Sequence, residues 1–368
     1  MTQKTEMIRD LVAATAAGRL DRRSFIAALG TIVALPAALK ANLAVAATGE
    51  LILVNWGGDA IDVYTNAWAK ALADRTGLTL KVDGSGPAEG TIRAQVESGA
   101  VSWDVVDADI FSAFTLGREG ALLAVDPAKV DATKGGEGNV TEFGVTPYLF
   151  SHVIAYDKTA FGGAVPTTWA DFFDVEKFPG KRTAYKWMVG VLEAALMADG
   201  VAPDAVYPVD VDRALARIEA IKPHMAAWWE SGGQSQQLFL DGEVTMGLIW
   251  NTRASSLARD TDGKIDFTFN QGILQPGNFS AVKGGPAGAD AAFALMDAAL
   301  EPEGQLAIFS AMGFAPASPA AAALIPADQQ RFNAGSPEAL AVQVRMDVDW
   351  YSKNYGPALD RFLGVISS

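Results

Sequence analysis

Asn55-Trp56-Gly57-Gly58-Asp59 is the segment best equipped to hold a small molecule. Its two glycines let main chain come close to a ligand. Free amides at the start of the helix that follows attract anions. Asp59 either caps that helix or faces the ligand. Trp56 offers a stacking surface to an apolar or cationic group. A second segment, Asp107-Ala108-Asp109, sets two carboxylates one residue apart. That pair suits an amine or a divalent cation, although no histidine stands near to complete a metal set. The alternative is a solvated strand end with a helix cap. Ser231-Gly232-Gly233-Gln234-Ser235-Gln236 can present amides to a carboxylate and also reads as a helix start. Asp260-Thr261-Asp262-Gly263-Lys264-Ile265-Asp266 lacks the spacing and terminal glutamate of a calcium loop, and reads as a turn before a strand.

Catalytic chemistry is poorly provided for. The 368 residues contain no Gly-x-Ser-x-Gly elbow, phosphate loop or dinucleotide fingerprint. There is no cysteine, and the only histidines, His152 and His224, are far apart, so neither a thiolate nor a histidine-rich metal site is expected. His152 sits in an apolar run and reads as a core residue. Trp169, Trp228 and Trp229 read as packing. A formal charge of −14 argues against a nucleic-acid partner, which needs a basic face. No cofactor and no metal are expected, and no enzymatic activity.

The elements that position these segments alternate. Strands at 51–55, 78–82 and 103–107 are separated by helices near 61–76, 88–98 and 110–118, the first with Ile61, Tyr64, Trp68 and Leu72 on one face and Gly77 at its end. An extended apolar connection, 147–156, leads to a second set: strands at 182–185, 244–250 and 265–269, helices at 188–198 and 211–221. Residues 287–312 are helical with a break near Pro302. Strand–helix alternation means parallel sheets covered by helices, with ligands gathering outside the carboxyl ends of the strands. Asn55–Asp59, Asp107–Asp109 and Trp250–Arg253 all fall at such ends.

The first 47 residues have a different character. Arg22-Arg23-Ser24-Phe25-Ile26, an apolar run from Ala27 to Leu39 and Ala44-Val45-Ala46-Ala47 give the charged start, apolar middle and small-residue cleavage site of an export signal of the twin-arginine type. The apolar run is too short and proline-interrupted to span a membrane. The segment carries six basic and three acidic side chains, so its removal leaves a formal charge near −17. A periplasmic location follows.

Several stretches together resemble the spermidine/putrescine-type periplasmic solute-binding proteins of ABC transporters. They are Asn55-Trp56 with its helix, Trp103 to Gly120, Thr168 to Phe173, Phe178-Pro179-Gly180-Lys181 and Gly242 to Asn251. The resemblance spans nearly all of residues 50–320. It implies an α/β, two-lobed periplasmic-binding-protein fold (a venus flytrap) with two crossover strands. It also implies a monomer that delivers ligand to a membrane permease of an ABC importer. Lobe 1 is expected at 48–152 plus 279–325, and lobe 2 at 153–278 plus 326–368.

The resemblance also implies ligand positions. Trp56 and Trp250 match tryptophans that sandwich a ligand, while Phe111 and Phe314 stand where tyrosine is common. The family's ammonium-gripping acids fall at Lys186 or Trp187, at Gly190 and near Asn278, and Arg253 stands where a small residue is usual. The pocket thus gains Lys186 and Arg253, which suits an anionic group. Gly57, Gly58, Asp59 and Asp109, around Trp56, keep the opposite wall acidic. The expected ligand is a zwitterion, an amino or quaternary-ammonium carboxylate, and next a small carboxylate. A polyamine is the alternative. A two-lobed cleft enzyme acting through Asp107 and Asp109, or a sensor subunit on a membrane receptor, are readings of other classes.

Overall fold

A computed structural model describes residues 49–368, so the export-signal expectation for 1–47 lies outside the described residues. The chain opens as β1 (Glu50–Val54), α1 (Ala60–Thr76), β2 (Thr79–Asp83), α2 (Glu89–Ser98), β3 (Val105–Asp107) and α3 (Ile110–Arg118). β1 pairs in parallel with both β2 and β3. α1 buries Tyr64, Trp68 and Leu72, one residue per turn of a single face. It stops at Gly77, whose φ of 74° lets its N–H reach the Ala73 carbonyl, with Arg75 favourably placed in the last turn. Trp68 is fully buried and meets Phe279 edge-on at 5.1 Å. Truncating such an aromatic to alanine costs about 3–5 kcal/mol.

The chain then crosses to a second sheet through β4 (Tyr148–Asp157). There it forms α4 (Trp169–Phe173), β5 (Arg182–Tyr185), α5 (Val191–Ala198), α6 (Val211–Ile221), β6 (Met225–Trp229), α7 (Gly232–Leu240), β7 (Met246–Trp250) and α8 (Asn251–Asp260). β8 (Ile265–Pro276) carries it back to β9 (Phe279–Ala281), which closes the first sheet antiparallel to β3. α9 (Ala289–Ala299) and α10 (Pro302–Met312) follow, separated before Pro302 as expected. The chain ends with β10 (Ala315–Pro316), β11 (Val344–Arg345) and a long α11 (Val348–Ser367). The first sheet has the order β2-β1-β3-β9. The second has the order β11-β8-β4-β7-β5-β6, with β10 also on β4. This is the two-lobed α/β architecture, and the antiparallel pair β4 and β8 are its crossover strands.

Among the elements that depart from the sequence expectation, four have a clear local reason. β8 runs to Pro276 rather than stopping near Phe269. Asn270-Gln271-Gly272 looks like a turn, and Gln271 does adopt a φ of 58°, but a register shift opposite His152 and Ile154 absorbs the irregularity. α5 starts at Val191 instead of Met188, because Met188 and Gly190 hold φ values of 73° and 78°. β6 was not expected, since it is an edge strand without clean alternation. α11 was not expected either: Gly356-Pro357 reads as a break, yet Pro357 lies inside the helix. No helix among the described residues is long and apolar enough to cross a membrane.

Candidate functional site

Three strand ends converge, as the placement of the polar segments requires. β1 leads to Trp56, β3 to Asp107 and Asp109, and β7 to Trp250 and Arg253. All border one cavity between the two sheets, about 610 Å³ with its open mouth counted. The crossover strands floor it with Tyr148, Phe150 and His152 from β4 and Gln275 from β8. Tyr185 at the end of β5 and Phe314 after α10 complete the walls.

The first loop is shaped by its backbone. Asn55 accepts the Gly57 N–H on its side-chain oxygen at 2.9 Å. Gly57 has a φ of 73°, and a Cβ there would fall 2.7 Å from the Gly84 carbonyl oxygen, so only glycine fits. The turn leaves Trp56 38% exposed, the one aromatic among the exposed large hydrophobics of the described residues. Asp59 does not cap α1. Its backbone is already helical (φ −58°, ψ −21°), which keeps the side chain from reaching back to the first amides. Its charge acts instead on Arg253.

The two aspartates at the end of β3 are not solvated. Asp107 is buried and accepts hydrogen bonds from the hydroxyls of Tyr64 (3.0 Å) and Tyr148 (2.6 Å). Burial pushes its carboxyl up to about 7 against those two bonds. Asp109, on the cavity wall, accepts from Gln275 Nε2 at 2.6 Å, and burial pushes it up to about 6. It makes no cap to α3. Gln275 Oε1 lies 3.0 Å from His152 Nε2. The amide nitrogen of Gln275 serves Asp109, so its oxygen accepts, and His152 must carry its proton on Nε2. Burial holds His152 neutral, with a pKa down to about 4. Asp109 is thereby aimed by a chain of side chains that begins on the crossover strands.

Arg253, in the first turn of α8, is only 5% exposed, and its Nε has no partner. Burial lowers its pKa, with Asp59 the first charge opposing that shift. An arginine stays charged all the same. Its guanidinium is seated against Gly232 of α7, where a Cβ would fall 2.2 Å from Nε. On the other lobe it approaches Gly58, whose Cβ position is 4.0 Å from Nη2. A buried cation without a hydrogen-bonded anion is costly unless something arrives to meet it.

Other expected residues lie elsewhere. Lys186 pairs with Glu230 at 2.7 Å on the protein surface. Side chains alternate along a strand, so Tyr185 at the end of β5 faces the cavity and Lys186 turns away. Asn278 is buried, donating to Ser280 Oγ at 2.8 Å, and does not border the cavity. Phe111 is buried against Tyr351 in a stacked pair 5.0 Å apart, and with Trp187 it borders a neighbouring, wider cavity. Tyr185, Gln275, Phe150 and Tyr148 were missed. A lone glutamine in Ile273-Leu274-Gln275-Pro276 was the available signal for one of them. Trp169 and Trp229 are buried packing residues, as read. Among the described residues no three His, Asp or Glu side chains gather as metal ligands.

Residues 67–333 match the family model described as "Bacterial extracellular solute-binding protein". The chain is 34% identical to the gamma-aminobutyric acid-binding protein of Pseudomonas aeruginosa over 67% of its own length and 71% of that protein's. Among solved structures it is similar to the PBP MotA from A. tumefaciens B6 in complex with glucopine (31% identity, 86% of this chain and 99% of that one, TM-score 0.80). It is also similar to the PBP AgtB from A. tumefaciens R10 in complex with agropinic acid (25% identity, 87% and 99%, TM-score 0.78). The Agrobacterium tumefaciens C58 protein AttC in an open unliganded conformation has nearly the same identity, 26%, over 86% and 99%, but a TM-score of 0.64. A spermidine/putrescine substrate-binding protein from Streptococcus pneumoniae is 16% identical over 86% and 99% (TM-score 0.66), a distant relation that shows the fold alone.

Proposed function

Because this chain belongs to the bacterial extracellular solute-binding protein family, we propose that it is the periplasmic capture component of an ABC importer. Its ligand in this reading is a small zwitterion whose carboxylate meets Arg253 and whose ammonium meets Asp109. The observation that carries this is the buried guanidinium with an unpartnered Nε, across an aromatic cage from a carboxylate that Gln275 holds by one oxygen. A guanidinium presents two parallel donors to a carboxylate. An ammonium takes the free Asp109 oxygen and the ring faces of Trp56 and Trp250. A polyammonium ligand fits poorly, since Arg253 would repel one end of it.

4-Aminobutanoate, the ligand named for the Pseudomonas relative, is the first compound to try. Lobe boundaries near residues 152, 278 and 325, a monomeric state, a partner permease and a twin-arginine export signal at 1–47 are part of the same proposal. A thermal-shift panel tests the ligand class. A zwitterion at 100 times its dissociation constant should stabilise the protein by about 2.7 kcal/mol. Butylamine and butanoate, each carrying half of its charges, should do little. Equal stabilisation by butanoate alone would remove Asp109 from the account. Equal stabilisation by butylamine alone would remove Arg253.

A further inference from the structure

α3 packs on both of its sides. Ala113 and Leu116 turn inward to the first lobe's own apolar core. Phe111 and Thr115, four residues apart and so on one face, meet α11 of the second lobe. Phe111 is 1% exposed and, alone among the described residues before β4, belongs to the apolar core of the second lobe. Its ring stacks on Tyr351 at 5.0 Å and leans on Tyr355 at 4.7 Å. Beside it, Thr115 Oγ1 lies 3.4 Å from the Ser352 carbonyl oxygen. This socket is held from within its own lobe. The Tyr351 hydroxyl donates to Glu193 Oε1 at 2.8 Å, and the same oxygen accepts from Tyr207 at 2.6 Å.

Parting α3 from α11 exposes Phe111 and the facing sides of both tyrosines to water, which the hydrophobic effect opposes. We propose that Phe111 is a positioning residue, a knob whose docking between Tyr351 and Tyr355 clasps the two lobes together whatever the charge of the ligand. The ring does not border the cavity that Arg253 lines. It acts through Asp109, two residues earlier at the start of the same helix. Docked, Phe111 sets Asp109 across from Trp250 and Arg253 before a ligand contributes any contact. Affinity then includes a share that no ligand contact supplies, because the joined arrangement is already populated.

The chain lacks cysteine, so Glu97→Cys on α2 and Glu219→Cys on α6, both at exposed positions, take one spin label on each lobe. Double electron–electron resonance without ligand should show a short-distance population in the labelled parent. Phe111→Ala should shrink that population at least about threefold and spread the remainder to longer distances. Should Phe111→Ala fail to fold, Tyr355→Ala, at a half-buried position, removes one wall of the socket and should shrink it at least about twofold. Calorimetric titration with 4-aminobutanoate should show binding at least about threefold weaker in Phe111→Ala. If 4-aminobutanoate binds neither protein, the zwitterion reading falls and the distances still decide the clasp. A lower melting temperature with unchanged distances would mean that Phe111 only packs, and overturns the proposal. Identical distance distributions in the labelled parent and Tyr355→Ala overturn it too.

Discussion

A carboxyl and a guanidinium, both withdrawn from water, give the cleft its chemical character. Asp109 titrates near about 6 when free, chiefly because burial disfavours its charge. An ammonium ligand binds the ionised form, so its presence lowers that pKa. By linkage, affinity is fully present above about pH 6 and falls by about tenfold per pH unit below it, until the complex itself protonates. Asp107 also titrates nearby, at about 7, but both its oxygens are occupied by tyrosine hydroxyls. Replacing Asp109 by asparagine separates the two contributions. Asp109→Asn should weaken binding of the zwitterion and flatten the profile between pH 7 and 5. A profile that keeps its full slope in Asp109→Asn would move the ammonium contact to Asp107.

Each side chain is aimed by an element, and the start of α7 illustrates how tightly. Gly232 leaves room for the Arg253 guanidinium, so Gly232→Ala should displace it. The expected loss is at least about tenfold in affinity. The melting temperature should stay within a few degrees, since Ala at the first position of a helix is well tolerated. Calorimetry beside a thermal melt checks both halves, and unchanged affinity would mean that Arg253 does not hold the ligand. The first lobe was readable because α1 repeats an apolar residue each turn and short apolar strands alternate with helices, β2 and β3 ending in aspartate. The far part of β8 was hidden by Asn270-Gln271-Gly272, and Gln275 was hidden with it. α11 was hidden by Pro357, and with it the Tyr351 and Tyr355 rings that enclose Phe111. Trp56, Trp250, Arg253, Asp109 and Phe314 were legible as cavity residues from their place at strand ends or from family pattern. Lys186, just after β5, turns away from the cavity that Tyr185 faces, and Asn278 is buried in the link between β8 and β9, placements that spacing alone does not give.

At the scale of the molecule, the cavity is lined from both lobes over the β4–β8 pair. The twin-arginine signal proposed for residues 1–47 would require the chain to fold before export. Lysine at both Arg22 and Arg23 should leave precursor in the cytoplasm, detected by fractionation and immunoblot, and normal periplasmic yield would exclude that route. The central claim is that a buried arginine selects an anion-bearing ligand and rejects a polyamine. It is tested most directly by calorimetric titration of 4-aminobutanoate and spermidine into the wild type and Arg253→Ala. The account predicts that the wild type binds 4-aminobutanoate and gives no measurable heat with spermidine. It predicts further that Arg253→Ala loses about 2–5 kcal/mol of binding to 4-aminobutanoate, at least about thirtyfold in affinity. Tight binding of spermidine, with the affinities of Arg253→Ala unchanged, would contradict it.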